Sequence, residues 1–290
     1  MLGRRSDGYH EIESVFQAID LRDELTIHAR PAEHAITVAV KVPGGGAADV
    51  PADHRNLCHQ AAQALIARTG ARFGAHIEIT KHLPTRSGLG GGSSDAAGAL
   101  VGLNRLHDLG LDRDSLGEVA AAVGSDVPFF LAGATALVQG RGERVTPLSA
   151  PPLHLAVVLP DLPYLSTGDA YQRLQAPALP APPADLAAET GRMIAALEGG
   201  DLDAVAAALH NDFERVILPA YPRIAEVRDH LLAAGCRGAL LAGSGAAVFG
   251  LAAAREQAES IAAAARARGD WSVAASGDAH VILNGATRAT

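Results

Sequence analysis

The chain has 290 residues, is 48% hydrophobic and carries a formal net charge of −8 at pH 7, so it is long enough for two ordinary domains with real cores. An acidic balance without a basic stripe excludes a typical nucleic-acid binder. No apolar run reaches the ~18–20 residues that a membrane span needs, and charge follows the start Met1-Leu2-Gly3-Arg4-Arg5. The sequence therefore reads as a soluble cytoplasmic protein.

Aromatic residues make up only 4%, which leaves the cores to aliphatic side chains. Lys41 and Lys81 are the only lysines among many arginines. Cys58 and Cys236 lie far apart in apolar contexts and read as buried free thiols. Asp53-His54 and Cys58-His59 lack metal-ligand spacing, so no metal site is assigned.

The chain opens on Arg4-Arg5-Ser6-Asp7-Gly8-Tyr9-His10-Glu11, which reads either as a surface turn or as a ligand-binding segment in which Tyr9 and His10 offer hydrogen bonds and stacking. Residues 24–29, 35–41 and 76–80 read as strands, with Lys41 at a loop, and 56–68 has helical periodicity. The segment Pro84-Thr85-Arg86-Ser87-Gly88-Leu89-Gly90-Gly91-Gly92-Ser93-Ser94 then runs into an alanine-rich helix ending near Leu106, with Ser93 and Ser94 as its caps. Glycines let backbone approach a ligand closely, and amides backed by a helix start form an anion site. A Walker A loop would need Gly-Lys-Ser/Thr at its end, and a dinucleotide fingerprint would need glycine where Ser93 stands. Neither is present.

A second helix is expected from Asp112 to Val123, broken by Ser125-Asp126-Val127-Pro128. Asp126, between a helix end and an apolar run, reads either as a turn cap or as a base that takes a proton from a substrate hydroxyl. A strand follows at 135–139, and Pro147, Pro151 and Pro152 bracket a domain boundary. Beyond it come a buried strand at 153–159, a proline-rich loop at 177–183, and helices from 185 to 234. Strands at 238–241 and 248–251 flank the tight turn Gly243-Ser244-Gly245, whose amides either close on a phosphate or only turn the chain. A helix at 253–268 and a strand at 280–283 complete a two-domain α+β pattern rather than a doubly wound one.

Four segments, Gly3 to Glu11, Pro84 to Ala97, Gly124 to Pro128 and Gly243 to Gly245, occur in the order found in the GHMP kinase superfamily, which the chain resembles over nearly its whole length. Further echoes lie at Asn56-Leu57, Gly140-x-Gly142-Glu143, Ser166-Thr167 with Tyr171, and Asn211-Asp212-Phe213-Glu214. The resemblance implies a two-domain α+β GHMP-kinase-like fold with the active site in the interdomain cleft. Residues 1–150 would form the N-terminal ATP-binding domain and 151–290 the C-terminal domain. It also implies ATP and Mg²⁺ as cofactors, and phosphorylation of a hydroxyl on the methylerythritol part of a cytidyl substrate in isoprenoid biosynthesis. Asp126 matches the family's catalytic aspartate, and Pro84 to Ser94 match its ATP phosphate loop. Tyr9, His10, Thr167, Tyr171, Gly243 and Ser244 match substrate positions, with Tyr171 stacking on the cytosine ring.

The family's first strand, with a lysine beside the aspartate, precedes the Gly-Arg-Arg segment. This sequence begins at Met1-Leu2, so the natural start is expected roughly ten to twenty residues upstream, the length of a strand with its lead-in. The alternatives are a kinase of another small alcohol, such as homoserine or mevalonate, and a nucleotide-binding protein without turnover.

Overall fold

The structure is a computed structural model that describes residues 1, 3–6, 8–30, 34–43, 50–162, 165–174 and 186–277. In chain order its first elements are β1 (Gly3–Arg4), β2 (His10–Gln17), β3 (Glu24–Ala29), β4 (Ile36–Lys41), α1 (Leu57–Thr69), β5 (Ala75–Thr80), α2 (Gly91–Leu106), α3 (Arg113–Val123), α4 (Val127–Ala132), β6 (Thr135–Gly140) and β7 (Arg144–Leu148). They are followed by β8 (Leu153–Leu159), α5 (Thr167–Leu174), α6 (Leu186–Gly199), α7 (Leu202–Ala207), α8 (Glu214–Ala220), α9 (Pro222–Ala233), β9 (Gly238–Leu241), β10 (Val248–Ala252), α10 (Arg255–Ala267) and β11 (Trp271–Gly277). None of the described helices is long and apolar enough to cross a membrane.

The chain divides into two compact units that interleave along the sequence. One comprises Met1–Asp20, Arg86–Leu89 and Leu148–Asp278, and the other contains Leu21–Thr85 and Gly90–Pro147. The crossing at 147–148 falls in the proline cluster. The glycine loop itself leaves one unit and returns, so residues 86–89 belong to the unit that also holds the N-terminal hairpin.

The second unit is built on the sheet β3-β5-β4, with β3 antiparallel and β4 parallel to β5. Alternation in β5 buries Ala75, Ile77 and Ile79 on one face, which follows from the two-residue period of a strand. Ile77 lies between Ile27 and Val38 in register. Helices α1 to α4 cover that face, and Leu65, Leu100, Leu103 and Val127 are fully buried there. Asn56 starts α1 by accepting a bond from the Cys58 amide, and Asp112 starts α3 through the Ser115 amide. Both caps satisfy amides that a helix start leaves open.

The first unit is organised around the antiparallel sheet β11-β8-β10-β9. Its central strands, β8 and β10, are buried on both faces. Ala156, Val158 and Val248 pack among α9 and α10, while Leu155, Val157 and Leu251 pack among residues of α6 and α7. Near-continuous apolar runs such as Leu153 to Leu159 are what such double burial requires.

Several expectations change. Ser93 and Ser94 do not cap α2: the cap is Gly90, in the left-handed region at φ 72, and the serines lie inside the first turn. Lys41 ends β4 rather than sitting in a loop. Val127-Pro128 opens a helix instead of only breaking one, because proline at a first helical position has no amide to leave unpaired. Strands β2, β7 and β11 and helix α5 were not expected. The proline-rich segment 177–183 and the strand expected at 280–283 lie outside the described residues.

Candidate active site

The exit of the glycine loop is a helix start with open donors. Positive φ recurs at alternate positions, Arg86, Gly88 and Gly90, a sequence of conformations that turns neighbouring amides to one side. Ser94 donates to the Gly90 carbonyl at 2.9 Å. The amides of Gly91, Gly92 and Ser93 have no partner among the described residues, no side chain caps them, and the Ser93 and Ser94 hydroxyls are likewise unbonded. Three open amides at the positive end of a 16-residue helix suit an anion.

Phe130 lies beneath this helix start. A Cβ on Gly90 would come within 2.8 Å of its ring, so glycine is needed there for close approach as well as for φ. Phe130 is one turn along α4 from Asp126, about 6 Å by helix rise. Asp126 is the residue at which α4 starts, yet its side chain makes no capping bond. No hydrogen bond or ion pair reaches its carboxylate among the described residues. Burial alone raises its pKa above the ordinary carboxylate value. The turn-cap reading of Asp126 therefore fails on geometry, because a capping carboxylate would hold an amide.

The Gly140-x-Gly142-Glu143 segment is the turn between β6 and β7. A Cβ on Gly142 would meet the Ser125 carbonyl oxygen at 2.5 Å. Arg141 donates to the Ala121 carbonyl at 2.9 Å, and its amide donates to Glu143 at 2.7 Å. This turn thus buttresses the backbone that presents Asp126.

A buried ion cluster lies at the base of the loop. Lys81, 6% exposed, donates to Asp95 Oδ2 at 2.9 Å and also to Asp23. Asp23 accepts from the amides of His82 and Leu83 at 2.5 and 2.9 Å. Burial opposes the Lys81 charge, but Asp95 and Asp23 outweigh it and hold its pKa above the usual lysine value. Burial raises the Asp95 carboxyl, Lys81 pulls it back and Asp23 adds to the rise, which leaves it at about 7. Two carboxylates share one ammonium, so one of them is incompletely compensated.

The first unit carries the remaining site residues. Ala247 donates to the Ser87 carbonyl at 2.9 Å, which ties residues 86–89 to the Gly243-Ser244-Gly245 turn. Asn211 donates to the carbonyls of Leu241 and Gly243 at 2.9 and 2.8 Å, and the Leu241 amide donates to Glu214 at 3.0 Å. Ser244 and Thr167 hydroxyls are 3.2 Å apart. In the N-terminal hairpin, Arg5 donates to the Tyr9 carbonyl at 2.7 Å, and Arg4 pairs with His10. The His10 ring lies 4.7 Å from that of Tyr171, which meets Phe213 edge-on at 4.9 Å. Tyr9 is 48% exposed. Within this unit His10 and Tyr171 are brought together, as are Thr167 and Ser244. Within the other, Gly90 to Ser94 and the helix headed by Asp126 are brought together.

Sequence reading missed Asp23, Asp95 and Phe130 and left Lys81 without a role. One signal existed. Asp95 lies one turn from Ala99 and two from Leu103 on the buried face of α2, where a carboxylate needs a cation.

Comparisons with known proteins identify the family. The model for the GHMP kinases N terminal domain matches residues 56–134, and that for the GHMP kinases C terminal domain matches 193–270. The 4-diphosphocytidyl-2-C-methyl-D-erythritol kinase of Pelotomaculum thermopropionicum is 45% identical over 91% of this chain and 88% of its own length. The chain belongs to the GHMP kinases, in the 4-diphosphocytidyl-2-C-methyl-D-erythritol kinase family. The enzyme of that name from Symbiobacterium thermophilum is 44% identical, over 88% of this chain and 87% of its own. A crystal structure of 4-(cytidine 5'-diphospho)-2C-methyl-D-erythritol kinase superposes with a TM-score of 0.73 at 33% identity, covering 95% of this chain and 93% of that one. Homoserine kinase from Cytophaga hutchinsonii reaches a TM-score of 0.76 at 22% identity, covering 91% of this chain and 89% of its own, and shares the GHMP kinase fold.

Proposed function

We propose that the chain transfers the γ-phosphoryl group of ATP to the 2-hydroxyl of 4-diphosphocytidyl-2-C-methyl-D-erythritol, a cytoplasmic step in non-mevalonate isoprenoid precursor biosynthesis. The observation that carries this reading is the 45% identity to a kinase of that name over 91% of the chain. Residues 1–150 are read as the ATP-binding GHMP domain and 151–290 as the C-terminal one. The family matches at 56–134 and 193–270 lie on either side of that boundary.

Pro84 to Ser94 hold the ATP phosphates, with the open amides of Gly91, Gly92 and Ser93 as donors. Mg²⁺ bound with ATP would supply neutralisation of phosphate charge. The unbonded hydroxyls of Ser93 and Ser94 are hard oxygen donors that suit it. Asp126 accepts or orients the proton of the attacking hydroxyl, and its unpartnered carboxylate is free for that bond. His10 and Tyr171 offer ring faces to the cytosine, with Tyr9, Thr167, Gly243 and Ser244 completing substrate recognition. Positioning and charge neutralisation supply most of the rate in such a transfer.

A substrate panel tests the reading. With Mg·ATP, initial rates are compared for 4-diphosphocytidyl-2-C-methyl-D-erythritol, homoserine and mevalonate. The cytidyl alcohol is expected to give the highest kcat/KM, and preference for either other alcohol would replace it as the substrate.

A further inference from the structure

We infer that Asp23, Lys81 and Asp95 form an internal clamp that sets the shape of the phosphate loop, and so act as positioning residues for ATP. This rests on the reading of Pro84 to Ser94 as the ATP loop. The clamp touches both stems of that loop. At the entrance, Asp23 takes the amides of His82 and Leu83, the two residues before Pro84. At the exit, Lys81 bonds Asp95 in the second turn of α2 at 2.9 Å. Gly91 lies directly over the cluster, since a Cβ there would be 3.4 Å from Lys81 Nζ and 3.6 Å from Asp23 Oδ2.

The backbone also fixes Lys81 from its own strand, because its amide donates to the Lys41 carbonyl at 2.8 Å. A side chain tethered in this way cannot follow a drifting loop, so the loop stems must come to it. Charge-assisted bonds among buried groups are the strongest polar contacts a protein offers. The open amides of Gly91 to Ser93 therefore start from a fixed frame, and pre-set donors bind an anion without reorganising. The groups facing Asp95 are Lys81, Asp23 and the Cys58 thiol on α1.

Asp95→Asn keeps shape and removes one charge. Mg·ATP binding is measured by calorimetry for wild type and variant, beside binding of the cytidyl substrate alone. At about pH 8 the variant is expected to bind Mg·ATP roughly five- to tenfold more weakly, the difference between a charged and a neutral hydrogen bond, with the cytidyl Kd unchanged. A folded variant with wild-type Mg·ATP affinity, or one that loses both ligands equally, overturns the clamp and leaves the kinase reading standing. A wild type that does not bind Mg·ATP removes both. Should the variant not fold, amide exchange of His82 and Leu83 in the wild type decides. By linkage Mg·ATP must slow their exchange, and unchanged exchange overturns the clamp.

Discussion

The α-carbon of Gly88 faces the carbonyl oxygen of Ala242 so closely that a Cβ would fall inside van der Waals contact with it, and 2.8 Å from the carbonyl of Gly245. Gly88 also sits at φ +81. Alanine there meets both backbone strain, of order 1–3 kcal/mol, and two immovable oxygens. Gly88→Ala is expected to weaken Mg·ATP binding by more than about tenfold and to lower the melting temperature. Calorimetry and thermal unfolding check this, and an unaffected variant would show that the two glycine segments do not depend on each other.

The ring pair His10 and Tyr171 separates recognition from chemistry. Tyr171→Leu keeps an apolar side chain but removes the face on which a base stacks, an interaction worth about 1–3 kcal/mol. Steady-state kinetics should show KM for the cytidyl substrate raised roughly tenfold or more while KM for ATP stays near its wild-type value. An equal rise in both would assign Tyr171 to packing against Phe213 alone.

Asp126→Asn should lower kcat by about 10²–10⁴, the range of a lost general base, while leaving Mg·ATP affinity intact. Because burial raises the Asp126 pKa, the acid limb of the wild-type rate profile should lie above the ordinary carboxylate range. The rate rises with pH there as the carboxylate forms. Near wild-type turnover in the variant would exclude Asp126 as the base.

Asp95 gives a pH-dependent stability of definite sign. Its folded pKa of about 7 exceeds the ordinary 3.8, so between those values the folded chain keeps a proton that the unfolded chain has released. Stability from this group is therefore full at low pH and is lost as pH rises toward 7. The melting temperature of Asp95→Asn minus that of wild type should grow from about pH 4 to about pH 7 and then level off. A pH-independent difference would mean that Asp95 stays ionised throughout.

Much of this architecture was legible because local chemistry and tertiary structure agree. Helix α1 announced itself through Asn56 and the spacing of Ala61, Ala62 and Leu65, and β5 through strict alternation. The glycine loop and Asp126 stood out as candidates for the same reason, since their residue types have few other uses in that order. What was missed depends on long-range pairing. Strand β2 was not expected because its run of half-buried residues carries no clean alternation. Lys81 gives no local sign of its partners, because Asp23 is 58 residues away and meets it only after the sheet forms. The serine caps failed because Gly90 reaches a left-handed conformation that starts the helix earlier than a serine would.

The central claim is phosphoryl transfer to one hydroxyl of one cytidyl alcohol, and ³¹P NMR of the reaction products tests it most directly. With Mg·ATP and 4-diphosphocytidyl-2-C-methyl-D-erythritol, a phosphomonoester resonance coupled to the C2 position should appear as ADP forms, with the substrate's own diphosphate signals retained. ATP consumed to inorganic phosphate alone, or a phosphomonoester at any other carbon, would contradict it.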